Sequence, residues 1–116
     1  MKSKKSTLKK KLDRLVQSIY VPLNPKCLVC GGETSEMHHF YQKRQSLFLR
    51  WDIRNLINLC KSCHYKHHLG DPSIHWQIYK IKGEKWADQL MEDRQQIFKD
   101  TISNLKEIEK KLLEVK

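Results

Sequence analysis

CLVCGGETSEMHHF, residues 27–40, and LINLCKSCHYKHH, residues 56–68, decide how this chain is read. Each opens or centres on a CxxC pair: Cys27 and Cys30 in the first, Cys60 and Cys63 in the second, with 29 residues between the pairs. In a reducing compartment two CxxC pairs favour a structural Zn²⁺ over disulfides. Each CxxC turn presents two thiolates, and two such knuckles complete a tetrahedron with no open position, so the metal they hold braces structure and does no chemistry. Gly31 and Gly32 suit the tight turn after the first pair. Two disulfides, or buried free thiols, are the competing readings.

Five of the six histidines cluster around this cysteine framework: His38 and His39 between the pairs, His64, His67 and His68 directly after the second; His75 lies further on. Neighbouring side chains on a strand point to opposite faces, so His38 and His39 on a regular strand divide into two jobs. His64 and His68 are four apart, one helical turn, and can face one metal. His67 cannot share the direction of His68 and is free to contact phosphate.

The rest of the chain bounds what such a centre serves. A length of 116 residues fits a single domain with a modest core, for which a metal staple is useful. No apolar run approaches the roughly 20 residues that span a bilayer, and the charged start MKSKKSTLKKKLDRL lacks the apolar stretch of a secretory signal. The reading is therefore a cytoplasmic protein without a membrane partner. The net charge of +10 is uneven. Residues 1–20 hold seven Lys/Arg against one Asp, and residues 38–75 hold six against two Asp, so the excess sits in the N-terminal arm and mid-chain. A basic surface attracts polyanions, nucleic acid above all.

Periodicity supplies the flanks. Residues 4–20 read as a basic amphipathic helix carrying Leu8, Leu12, Leu15, Val16 and Ile19, ended by Pro22 and Pro25. Residues 34–41 fit a strand, 43–54 a loop anchored by Phe48 and Trp51, 56–59 a second strand and 61–69 a helix. A turn at Gly70–Pro72 leads to a helix over 73–81, stopped near Gly83. Residues 84–114 read as one long helix with a seam of Phe98, Ile102, Leu105 and Leu112, Ile108 beside it. At about 45 Å its far half needs a partner: the N-terminal helix, or a second copy in a homodimer.

In that order, CxxC, paired HH with an aromatic, RNLINLC and CxxCHxxxH, the segment Cys27–His68 resembles the HNH endonucleases of the ββα-metal superfamily. The stretch LFLRWDIRNLINLCKSCH with IYKIKGEKWADQL is, more loosely, similar to phage NinG/Rap recombination endonucleases, although His64 stands where that group has Asn. The resemblance implies an α+β fold: a small ββα-metal core over residues 23–72 braced by the four-cysteine zinc site, a basic N-terminal helix or arm over 1–22, and a helical extension over 73–116.

The resemblance also implies roles. His38, with His64 and His68, takes the catalytic metal-ligand positions, for one divalent ion among Mg²⁺, Mn²⁺, Ni²⁺ and Zn²⁺. His39 takes the general-base position, suited to imidazole because its pKa lies near operating pH. Asn55 fixes the loop and orients the base. Arg50, Arg54, Lys43, Arg44 and His67 are the candidate DNA contacts, guanidinium matching phosphate geometry. The expected function is metal-dependent hydrolysis of DNA phosphodiester bonds, on branched recombination intermediates if the chain is phage-encoded and works in a host cytoplasm. The alternative is a zinc-knuckle nucleic-acid-binding module without catalysis. That module needs the cysteines and the charge but not His38, His39, Asn55, His64 and His68 together.

Overall fold

The computed structural model describes residues 4–115. Among them are five α-helices and one two-stranded antiparallel sheet, an α+β arrangement. Helix α1 spans Lys4–Leu23, β1 Glu36–His39, β2 Leu56–Leu59, α2 Lys61–His68 and α3 Pro72–Lys82. Helices α4, Glu84–Asp93, and α5, Ile102–Val115, follow. The order β1–β2–α2 is the expected ββα unit, and its element positions follow the sequence reading closely.

Register sets what each face of the sheet does. Glu36 pairs with Leu59, Met37 with Asn58, His38 with Ile57 and His39 with Leu56. Directly paired residues share a face, so Glu36, His38, Ile57 and Leu59 lie on one side and Met37, His39, Leu56 and Asn58 on the other. The first side packs toward α2 and α3: Ile57, Leu59, Cys63, Ile74 and Ile78 form one buried cluster. The second packs toward α1: Leu12, Val16, Ile19, Met37, Trp51 and Leu56 form another. The exposed backbone edge of β1 is covered by Gln17 of α1, whose side-chain amide donates to the Met37 carbonyl and accepts from its N–H, both at 2.8 Å. An unpaired strand edge is thereby blunted.

Two expectations are corrected. Helix α1 runs on to Leu23 with Pro22 inside its final turn, where the ring forgoes one i→i−4 bond just before the helix ends, and Asn24, bonded to the Tyr20 carbonyl through backbone and side chain, finishes the helix before Pro25. The expected helix over 84–114 is two helices. Residues 94–101 leave helical geometry, and Thr101 starts α5 by accepting the Asn104 N–H on its hydroxyl. Asp100, just before it, is held by Lys9 at 2.6 Å. The break folds α5 back along α1, so that Leu105 and Leu112 are buried against Leu12, Val16 and Ile19, with Phe98 and Ile108 packed at the margin. The seam expected to take either the N-terminal helix or a second copy is closed by the N-terminal helix of the same chain. That helix is thus a core element, not a loose arm.

Candidate metal centre and histidine site

The four cysteines converge. The sulfurs of Cys27, Cys30, Cys60 and Cys63 all lie within 4.8 Å of one another, and none is in a disulfide. Local geometry explains the convergence. In the first knuckle Cys27 N–H bonds the Gly32 carbonyl at 2.6 Å and Gly31 N–H bonds the Cys27 carbonyl at 3.0 Å, with Gly31 at φ 77°, a left-handed conformation that glycine adopts without strain. In the second, Cys60 caps α2 and its sulfur accepts the Cys63 N–H at 3.4 Å. Asn58 of β2 joins the two, donating to the Lys26 carbonyl and accepting the Leu28 N–H. Burial pushes the Cys27 thiol up, but backbone N–H groups of the knuckles, Cys30 and Val29 among them, outweigh it and bring it down to about 7. Four convergent thiols with amides aimed at sulfur fit Zn²⁺.

On the α2 side of the sheet His38 lies against the helix. Its ring centroid is 4.3 Å from that of His64 and 4.6 Å from that of His67, whereas His64 and His68 are 6.5 Å apart. Among the described residues only the four cysteines bring three or more ligating atoms within 4.8 Å of one another, so the imidazoles are grouped less tightly. Two features suit them to a metal nonetheless. Glu36, on the same strand face as His38, accepts from His64 Nδ1 at 2.8 Å, which orients the ring and leaves Nε2 as the nitrogen not engaged by that bond. Burial, then the neighbouring imidazoles, take His38 down to about 3, so it is neutral at physiological pH and can donate a lone pair. His68 is exposed one turn along α2, its ring edge-on to that of His64.

On the opposite side His39 Nε2 lies 2.8 Å from the Arg50 carbonyl oxygen. A carbonyl only accepts, so Nε2 carries the proton and Nδ1 the lone pair. Burial lowers the His39 pKa, opposed by that same hydrogen bond. His38, His39 and His68 line one recess of about 590 Å³ together with Gln42, Lys43 and Arg44.

The loop that supplies the Arg50 carbonyl is fixed from two directions. Asn55 is fully buried; its amide oxygen accepts the Tyr41 N–H at 2.8 Å, and its nitrogen donates to the Tyr41 and Leu49 carbonyls. These bonds tie backbone to backbone, at Tyr41 and Leu49, so Asn55 acts on the loop and not through a bond to the His39 ring. From α1, Asp13 accepts from Arg50 Nε at 3.1 Å and Nη2 at 2.7 Å and from the Trp51 indole N–H at 2.9 Å.

The candidate DNA contacts divide. Arg50 is turned inward onto Asp13 and lies over Trp51. Arg54 is exposed but engaged by Asp52 and Asp93, each at 2.7 Å, and these hydrogen bonds hold its guanidinium well above its usual pKa. Lys43 and Arg44 are exposed at the recess; Lys43 reaches Asp13 at 3.3 Å and Arg44 leans on Gln42. His67 is half-buried between His38 and His75. Sequence reasoning missed Glu36 and Asp13. Strand alternation places Glu36 on the His38 face, and Asp13 is the one acid among the first 20 residues, so both carried a signal.

No curated protein and no solved structure matches the chain. A family model does: residues 27–70 match the one described as HNH endonuclease, from the first knuckle cysteine to the glycine that ends α2. Spacing, fold and this match agree on the same stretch: residues 27–70 are similar to the HNH endonuclease family, and α1 and α3 to α5 pack around them.

Proposed function

We propose that the protein is a divalent-metal-dependent endonuclease that hydrolyses DNA phosphodiester bonds, with His39 as general base. The observation that carries this reading is the division of the two adjacent histidines: His38 faces α2 and its imidazoles, while His39 faces away with Nε2 pinned to the Arg50 carbonyl. That tautomer aims no proton from Nδ1, so His39 can accept one from a water set in line with a phosphate. Lys43 and Arg44 would bind the flanking phosphates at the mouth of the recess. Asn55 and Asp13 keep the loop, and with it the Arg50 carbonyl, in place. His38, His64 and His68 would hold the divalent ion, whose chemistry when bound is to neutralise charge on the scissile phosphate and its leaving oxygen. Zn²⁺ at the four cysteines would hold the knuckles and with them the strand that bears both histidines. Four unpaired thiols suit a reducing cytoplasm.

The test is cleavage of linear duplex, flapped and four-way DNA by purified protein in Mg²⁺, Mn²⁺, Ni²⁺ and Zn²⁺. Metal-dependent cutting of at least one substrate is expected. DNA binding with no cutting in any metal would favour the zinc-knuckle binding module instead.

A further inference from the structure

Beside the histidine recess lies a second one of about 600 Å³, and its walls differ in kind. His38, Gln42 and His68 form the wall common to both recesses. The far side is aromatic. Phe40 stacks on His75 with centroids 4.8 Å apart and planes 28° from parallel, and His75 is nearly parallel to His67 at 6.1 Å. Trp76 follows on α3 with 59% of its surface exposed. Its ring is within 9° of parallel with that of Tyr79, and the Lys80 ammonium lies 6.0 Å from its centroid. The fold does not use the Trp76 ring for core packing, and a tryptophan so placed over a concave site is a contact surface in waiting.

The remaining edge is polar. Gln42 Oε1 accepts from Arg44 Nε, and Gln45 Oε1 accepts from the Gln42 N–H. Both amide oxygens are therefore engaged, and the amide nitrogens are the groups left to donate to a ligand. The one carboxylate on the rim, Asp71, is occupied as the N-cap of α3, accepting the Ser73 N–H at 2.8 Å. Flat π-faces and donors at the edge of one recess, with the cations Lys43 and Arg44 lining the other, suit a nucleotide: base in one, phosphate in the other.

We propose that this recess takes an unpaired nucleobase, stacked against His75 and Trp76, so that the preferred substrate carries an unpaired nucleotide next to the bond that is cut. The inference rests on the nuclease reading for the cut itself; the base pocket stands on its own geometry. A base within a duplex is already covered on both faces and paired along its edge. Only one in a single strand, a flap or a branch point can enter without first being unstacked.

The test uses a short single-stranded oligonucleotide with one 2-aminopurine and a duplex of the same sequence, read by fluorescence without added divalent metal. Stacking against His75 and Trp76 should quench the single strand on binding. Trp76→Ala and His75→Ala should each lower the preference for single strand over duplex by roughly five- to a hundredfold, and Trp76→Phe should restore most of it. Trp76 is exposed, so circular dichroism and zinc content verify the fold of each variant. An absent quench, or equal loss on both DNAs, overturns the proposal. A protein that quenches but never cuts refutes the nuclease reading and leaves the pocket; one that cuts without quenching does the reverse.

Discussion

Replacing Asp13 by alanine tests whether the N-terminal helix serves the site or merely sits beside it. The carboxylate receives four donors: two from Arg50, the Trp51 indole N–H, and Lys43 at 3.3 Å. The side chains of Asp13 and Arg50 are 18% and 17% exposed. Breaking a fully buried pair costs about 3–5 kcal/mol, an exposed one under about 1. A pair mostly out of water, with the Trp51 N–H also left unsatisfied, should cost about 3 kcal/mol. For a chain of this size that is a fall in Tm of roughly 12 °C, measured with zinc in excess so that metal linkage is constant. Burial raises the Asp13 pKa, but Arg50, Lys43 and Trp51 together outweigh it and leave it below the usual carboxylate value. Its stabilisation is therefore fully present above the unfolded pKa of about 3.9 and is lost only as pH falls through the lower folded value. The difference between wild type and variant should accordingly be flat from about pH 6 to 8. Cleavage should report separately. The Arg50 carbonyl that holds His39 loses its anchor, so kcat should drop below the unfolding temperature, while DNA affinity rises because an acid has left a basic face. A Tm loss under about 4 °C, or a variant that cuts at the wild-type rate, would refute this reasoning.

Leu105→Ala removes a fully buried side chain between α5 and α1 and should cost about 3 kcal/mol in chemical denaturation, whereas Leu113→Ala on the exposed face should cost under about 0.5; equal effects would mean the helices do not pack as described. Lys43→Ala with Arg44→Ala should flatten the dependence of log Kd on log salt by about one unit for each phosphate the pair no longer neutralises, and an unchanged slope would remove these residues from the DNA face. Deleting residues 1–14 would not be a clean charge test, because Leu12 and Asp13 belong to the core and the loop clamp. Protein purified without added metal should hold one zinc per chain and unfold when it is stripped by chelator; a folded sample with less than about half an equivalent would exclude the four-cysteine site.

What the sequence made legible is what local spacing controls. Two CxxC pairs predict converging thiols because each knuckle is built within a few residues, and HH on a strand predicts two faces because the pleat alternates residue by residue. The i, i+4 histidines on α2 are local in the same sense. What escaped depends on distant partners or on an element boundary. The apolar stripe to Leu112 starts at Phe98, inside the break, and no Gly or Pro interrupts residues 84–114, so pattern alone joins α4 to α5; the stop lies in the Thr101 cap and in the Asp100–Lys9 pair, the latter visible only once α1 is beside it. Arg50 and Arg54 read as available cations from composition. Asp13 and Asp93 are 37 and 39 residues away, and sequence spacing has no access to such pairs, whereas Asp52, the other partner of Arg54, stands only two residues before it.

Separate roles for His38 and His39 are the centre of the proposed chemistry, and cleavage by single variants under a metal titration tests them most directly. His39→Ala should fold, keep its zinc and bind DNA, yet lose a factor of roughly 10²–10⁴ in rate that no concentration of divalent metal restores. His38→Ala and His68→Ala should instead lose metal affinity and recover in part as metal is raised. If His39→Ala cuts at the wild-type rate, or excess metal rescues it, then His39 is a spectator or a ligand and the proposed base is wrong.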